Sequence, residues 1–85
     1  MLEDEVLFNQ GEEGNKAYMV VAGRLSVEVD NNPAGYMGDG EVFGELALLL
    51  NQKRSATVKS VKSTELIEIN KEGLELILNS ASDQV

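Results

Sequence analysis

FGELALLLNQKRSA, residues 43–56, sets an acid, Glu45, nine residues ahead of Arg54, one of two arginines in the 85-residue chain. Gly44 precedes the acid and an apolar run from Leu46 to Leu50 follows it. Asn51-Gln52-Lys53 then makes a polar turn, and the small residues Ser55 and Ala56 stand behind the base. Phe43 to Leu50 holds good helix formers with a glycine that permits a sharp entry. A helix of two turns is marginal in water without packing, so this element is expected to lodge in a framework supplied by its flanks. Leu46, Leu48, Leu49 and Leu50 are expected in the core.

Those flanks read as short strands. Downstream, Ala56–Val61 and Glu65–Ile69 alternate apolar and polar residues, the period of a half-buried strand. Leu66, Ile67 and Ile69 are expected largely inward, and Lys62-Ser63-Thr64 joins the two strands. Asn70 suits an N-cap, and Leu74, Ile77 and Leu78 follow at i, i+3, i+4, which predicts a short amphipathic helix over Lys71–Asn79 closing the edge of the sheets. Upstream, Gly38-Asp39-Gly40 is a turn. Asp30-Asn31-Asn32-Pro33-Ala34-Gly35 puts five turn-favouring residues in six positions, so a reversal is expected before Tyr36-Met37. Leu25, Val27 and Val29 alternate with Ser26 and Glu28 and form the buried face of a strand, which pairs across Gly23 with the apolar run Ala17–Ala22. Gly14-Asn15 and Asn9-Gln10-Gly11 are further turns, and Val6-Leu7-Phe8 is the first ordered element after the acidic Met1–Glu5. The pattern predicts a mainly β fold, an antiparallel β-roll or jelly roll of about eight short strands with a short cassette helix and a short C-terminal helix.

Size and composition narrow the function classes. A single domain of this length buries about 60–65 % of the surface that its unfolded chain exposes, and 42 % hydrophobic residues suffice for one core. There is no cysteine, hence no disulfide or thiolate chemistry, and no histidine. A metal site would need carboxylates alone, and no acidic run has the spacing of a calcium loop. A small metal enzyme on a jelly-roll scaffold is therefore disfavoured, and no catalysis is expected. The net charge of −8, with seven scattered basic residues, opposes direct nucleic-acid binding. No basic leader precedes an apolar run, and Leu46–Leu50 is far short of the roughly 20 residues that span a bilayer. The expectation is a soluble, cytoplasmic chain without membrane insertion. A homo-oligomer stays open.

The cassette itself offers a specific chemistry. The first N–H groups of its helix, near Leu46 and Ala47, have no intrahelical acceptor and can serve an anion. Arg54 brings a planar, permanently charged fork that matches two phosphate oxygens, and Ser55 adds an N–H and a hydroxyl. Glu45, when ionised, only accepts hydrogen bonds, so beside a phosphate its partner is a donor such as a sugar hydroxyl. Phosphate with ribose means a nucleotide. Two plainer readings stand beside this one: a surface ion pair between Arg54 and Glu45, worth about 0–1 kcal/mol, and a macrodipole role for Glu45 at the helix start.

Phe43-Gly44-Glu45, Leu46-Ala47-Leu48-Leu49 and Arg54-Ser55-Ala56-Thr57-Val58 resemble the phosphate-binding cassette of the cyclic nucleotide-binding domains, including the interval from acid to base. Gly11-Glu12-Glu13-Gly14-Asn15-Lys16-Ala17-Tyr18-Met19-Val20 is similar to that family's Gly-rich turn and following strand, Gly23 to its hairpin glycine, and Gly40-Glu41-Val42 to the cassette entry. The resemblance covers roughly residues 5 to 79. It implies a β-roll that binds cAMP or cGMP, with Arg54 on the cyclic phosphate, Glu45 on the ribose 2′-hydroxyl, and the N–H groups of Ala47 and Ser55 completing the cradle. The implied ligand-binding set is Gly44, Glu45, Leu46, Ala47, Arg54, Ser55 and Ala56. Ser55 suits either base, with cAMP the preferred ligand, and no further cofactor is implied.

Family members carry a leading helical segment and a longer C-terminal helix that covers the ligand. Ala81-Ser82-Asp83-Gln84-Val85 is too polar and short for that cover, so residues 1–85 are expected to be a single binding core, a regulatory sensor whose effector or partner lies elsewhere. The alternative is a structural or protein-interaction domain of the same fold that does not bind nucleotide.

Overall fold

A computed structural model describes residues 1–83, with side chains described through Asn79. Gln84 and Val85, the end of the polar tail, lie outside the described residues. The elements are β1 (Val6–Phe8), β2 (Ala17–Ala22), β3 (Arg24–Val29), β4 (Asn32–Gly38), β5 (Val42–Phe43), α1 (Glu45–Leu49), β6 (Thr57–Ser60), β7 (Glu65–Ile69) and α2 (Lys71–Asp83). They form two antiparallel sheets, one in the order β1-β6-β3-β4 and the other β5-β2-β7. This is the expected β-roll with two helices, built from seven strands among the described residues instead of about eight. Strands β2 and β3, expected to pair across Gly23, lie instead in different sheets, so the chain crosses between sheets there.

The apolar run of β2 makes sense once both of its faces are covered. Tyr18 and Val20 face the space between the sheets, where Phe8, Leu25, Phe43 and Val58 are buried and Leu66 and Met37 pack against them. Ala17 and Met19 face outward, where Ile69 of β7, Leu74 of α2 and Leu48 of α1 cover them. Val20 and Leu25 are fully buried, each contributing about 1.5–3 kcal/mol relative to exposure. A second anchor is the buried Ser60, whose hydroxyl oxygen accepts the Glu5 N–H at 3.0 Å and so ties the segment before β1 to β6.

Several local expectations change. The reversal expected over Asp30–Gly35 is only two residues long: Asp30 and Asn31 take φ of 53° and 65°, the pair of left-handed residues that a tight hairpin turn requires. Strand β4 therefore starts at Asn32 and absorbs Pro33, which an edge strand tolerates. Val27 pairs with Gly35 and Glu28 with Pro33, so Ala34 is an extra residue in a bulge. Phe43, assigned to the cassette helix by its sequence, belongs instead to β5, where it pairs with Tyr18. Gly44, at φ 77°, turns the chain into α1. The C-terminal helix runs past Asn79 to Asp83.

Burial also departs from the pattern. In α1 only Ala47 is buried; Leu46 is 51 % exposed, because a five-residue helix presents one narrow face to the sheet, and Leu50, just past its end, is 58 % exposed. Leu49 is exposed too, and Leu48 is half-buried against the outer face of β2. Val29 is exposed at the end of β3. Ile67, expected inward, is 47 % exposed: it shares the outer face with Ile69, opposite Met19, and α2 covers only the Ile69 end. Of the α2 stripe Leu74 is buried, while Ile77 and Leu78 are each about half exposed, so the helix closes the edge through its first turn. Asn70 caps that turn as its side chain predicts, its Oδ1 accepting the Gly73 N–H at 2.8 Å. Among the described residues no helix is long and apolar enough to cross a membrane.

Candidate functional site

Arg54 is placed first by its backbone. The chain leaves α1 through Asn51, at φ 53°, and Lys53 forms an isolated antiparallel bridge with Glu13. The Arg54 N–H then donates to the Glu12 carbonyl at 2.8 Å, and its own carbonyl accepts the Gly11 N–H at 2.8 Å. The loop between β1 and β2 thus grips residue 54 from both sides. The Gly11 turn of the sequence serves this grip, whereas Gly14-Asn15, expected as a second turn, is not one.

The Arg54 side chain is 6 % exposed. Nη1 donates to the Gly44 carbonyl at 3.1 Å and Nη2 to the Lys16 carbonyl at 2.9 Å. Its Cζ lies 4.1 Å from the Phe8 ring centroid and 5.8 Å from that of Tyr18, within the range of cation–π attraction. Nε has no hydrogen-bond partner among the described residues. Neither ion pair found among them, Lys16 with Glu68 and Lys59 with Asp4, involves Arg54. The plain surface bridge to Glu45 is not formed. A buried cation lacking a carboxylate carries a desolvation cost of several kcal/mol, which two carbonyl dipoles and a ring face offset only in part.

Glu45 opens α1 and is half-buried, an acid in the first helical turn as the macrodipole favours. No hydrogen bond or ion pair engages its carboxylate among the described residues. Gly44 links the two sequence-assigned residues: its carbonyl takes Nη1 of Arg54, and the next residue is Glu45. A Cβ added to Gly44 would stand 2.6 Å from Nη1.

These residues surround a cavity of about 220 Å³, and all seven of the sequence-assigned residues line it: Gly44, Glu45, Leu46, Ala47, Arg54, Ser55 and Ala56. The remaining wall is mostly apolar, from Phe8, Val27, Met37, Val42, Phe43 and Val58 on five strands, with the polar Gln52 and Lys53 beside Arg54. One end therefore carries charge and free N–H groups, and the other is greasy. The sequence did not single out Val27, which strand alternation marks only as core, nor Met37, which stands just after an expected reversal, nor Phe8 as the platform under Arg54. Lys16 acts at the site through its carbonyl, which no side-chain motif can signal. Its ammonium points elsewhere, donating to Glu68 at 2.9 Å, and that hydrogen bond, followed by the carboxylate charge, raises the Lys16 pKa. Among the described residues no cluster of His, Cys, Asp and Glu could hold a metal ion.

The chain matches the family model described as "Cyclic nucleotide-binding domain" over residues 2–81. It is 38 % identical to part of Lysophospholipase NTE1 of Pyricularia oryzae, covering 75 % of this chain and 5 % of the length of that relative. Among solved structures it resembles the EAL enzyme Bd1971. With the cAMP-bound form the identity is 34 %, the TM-score 0.81, and the coverage 86 % of this chain and 21 % of that one. A cGMP-bound form of the same enzyme matches equally well, with 34 % identity, a TM-score of 0.81, and the same coverage of 86 % and 21 %. A cAMP-bound PfPKA-R has a TM-score of 0.87 at 28 % identity and covers 98 % of this chain and 29 % of that one.

Proposed function

Because the chain belongs to the cyclic nucleotide-binding domain family, we propose that the cavity at α1 takes cAMP in preference to cGMP and that the domain is a regulatory sensor, not an enzyme. The observation that carries this reading is the buried Arg54 guanidinium, which has an unsatisfied Nε and no carboxylate partner among the described residues. A phosphate is the counter-charge that the fold itself does not supply. Two of the five guanidinium N–H donors are spent on carbonyls and Nε is fully occluded, which leaves one N–H on each terminal nitrogen for an anion.

In this reading Arg54 holds the cyclic phosphate, the N–H groups of Ala47 and Ser55 complete its cradle, and the Glu45 carboxylate accepts the ribose 2′-hydroxyl. Gly44, Leu46 and Ala56 shape the wall. The purine lies toward Val27, Met37 and Val42. Those three side chains offer no hydrogen bonds, so guanine, with more polar edge to desolvate than adenine, fits against them less well. Leu48 joins the Ala17, Ile69 and Leu74 cluster, so a shift of α1 onto the ligand presses on α2 and carries the signal outward. Residues 1–85 form one such binding unit. The absence of cysteine suits a cytoplasmic setting.

The test is a calorimetric titration with cAMP, then cGMP, with 5′-AMP as the open-phosphate control. Saturable heat in the order cAMP, cGMP, 5′-AMP is the expected result. The two carbonyl bonds of Arg54 favour one other reading, in which the side chain is an internal clasp of a structural or protein-interaction domain; no heat, with unchanged amide NMR shifts at excess ligand, would establish it.

A further inference from the structure

Gly14 lies in the β1–β2 loop, outside the cassette, and does not line the cavity. Its α-carbon nevertheless abuts the Arg54 side chain. A Cβ at this position would fall 2.3 Å from Nε, 2.4 Å from Cζ and 2.7 Å from Nη2. The volume of one methyl group is the volume that the guanidinium occupies.

Backbone conformation gives no competing reason for a glycine here. Gly11, Gly23, Gly35, Gly40 and Gly44 all have positive φ, and Gly14 does not. Alanine is therefore acceptable to the local chain, and the three heavy atoms its Cβ would meet first all belong to Arg54. Nor can Arg54 yield without loss, since Phe8 lies against its ring-facing side and the Gly44 and Lys16 carbonyls fix both terminal nitrogens. Displacing the group breaks at least one of these contacts.

Building on the nucleotide-binding reading above, we propose that Gly14 is a positioning residue for the phosphate: its missing side chain seats the Arg54 guanidinium, so residue 14 sets ligand affinity without touching the ligand. An arginine that is held in place before binding loses little rotamer freedom on meeting an anion. One that is pushed off its seat loses both the aim and the advantage.

The experiment compares Gly14→Ala, Arg54→Ala and the double variant in the full 85-residue chain. In Gly14→Ala the Arg54 Nε–H resonance is expected to move in ligand-free protein, and the Kd for cAMP to rise about tenfold, the equivalent of one charged hydrogen bond. Gly14→Ala should lower Tm in the wild-type background and leave it unchanged in the Arg54→Ala background, where the collision partner is gone. An equal loss of Tm in both backgrounds, or an unmoved Nε–H resonance, overturns the seat. Should Gly14→Ala alone fail to fold, a folded double variant supports the proposal and an unfolded one defeats it. The resonance and the Tm cycle need no nucleotide, so a wild-type chain that ignores cAMP overturns the binding reading separately.

Discussion

The guanidinium of Arg54 lies 4.1 Å above the ring of Phe8, which places a cation on the aromatic floor of the core. Phe8 also meets Tyr18 and Phe43, at centroid separations of 6.2 and 6.3 Å. Phe8→Leu keeps the apolar bulk and removes the ring face. Urea denaturation should show a loss of about 0.5–2 kcal/mol from the cation–π contact, with cAMP affinity falling as the guanidinium loosens. Unchanged stability would mean that the ring serves only as volume.

Arg54→Ala should retain the circular-dichroism spectrum of the fold and weaken cAMP binding by about 2–5 kcal/mol, the cost of truncating one partner of a buried charge pair. Arg54→Lys is also expected to bind poorly, because a single ammonium cannot serve the Gly44 carbonyl, the Lys16 carbonyl and a phosphate at once. Equal affinities in parent and variants would remove Arg54 from the site.

For Glu45 the informative ligand is 2′-deoxy-cAMP. Glu45→Gln should cost about 1.5–3 kcal/mol against cAMP, the range for a hydrogen bond to a charged group, and almost nothing against the deoxy analogue. A loss of the same size with both ligands would point to a helix-start role instead.

Thr64 gives a contrasting prediction, one of stability alone. It is buried, its hydroxyl oxygen accepts the Arg24 N–H at 3.2 Å, and its proton goes to the Lys62 carbonyl at 2.8 Å. Thr64→Val strands both partners at no gain in volume. The expected loss is about 1–3 kcal/mol in chemical denaturation, with the Kd for cAMP unaltered. A changed Kd would link this corner to the cavity.

Lys16 should leave a mark on the alkaline side. Its pKa is raised by the hydrogen bond to Glu68 and then by the charge of that carboxylate. A cation whose pKa rises on folding stabilises the folded state below its unfolded value, and that contribution is lost as pH climbs through the folded value. The Tm difference between wild type and Lys16→Met should therefore be small and constant at neutral pH, as exposed pairs are weak, and vanish at strongly alkaline pH. A difference that grows with pH would contradict the sign.

Much of this architecture was legible in the sequence because it is written in side chains. The alternation in β3 and the cap at Asn70 name their residues directly, and the interval from Glu45 to Arg54 names two residues that line one cavity. Other features are written in the backbone. Arg54 is held by the carbonyls of Gly44 and Lys16, and every residue has a carbonyl. Strand β5 is two residues long, too short to show a period, and the leucines of α1 read as core because a helical pattern does not say how much of the helix its neighbours cover. The start of β4 was hidden by Asn32 and Pro33, turn-favouring residues that an edge strand admits.

The two-residue turn at Asp30-Asn31 has a bearing on the order in which the molecule assembles. It closes β3 onto β4 between neighbours in the chain, whereas β1 reaches β6 and β2 reaches β7 across most of the sequence. Loop-closure entropy makes such distant pairings late and slow. The expected order is the β3–β4 hairpin first, β6 onto β3 next, and β1 onto β6 last. Because Gly11 and Glu12 follow β1 and hold the backbone of Arg54, the same order predicts that the cavity is completed late: its shape is expected to appear only as the chain finishes folding.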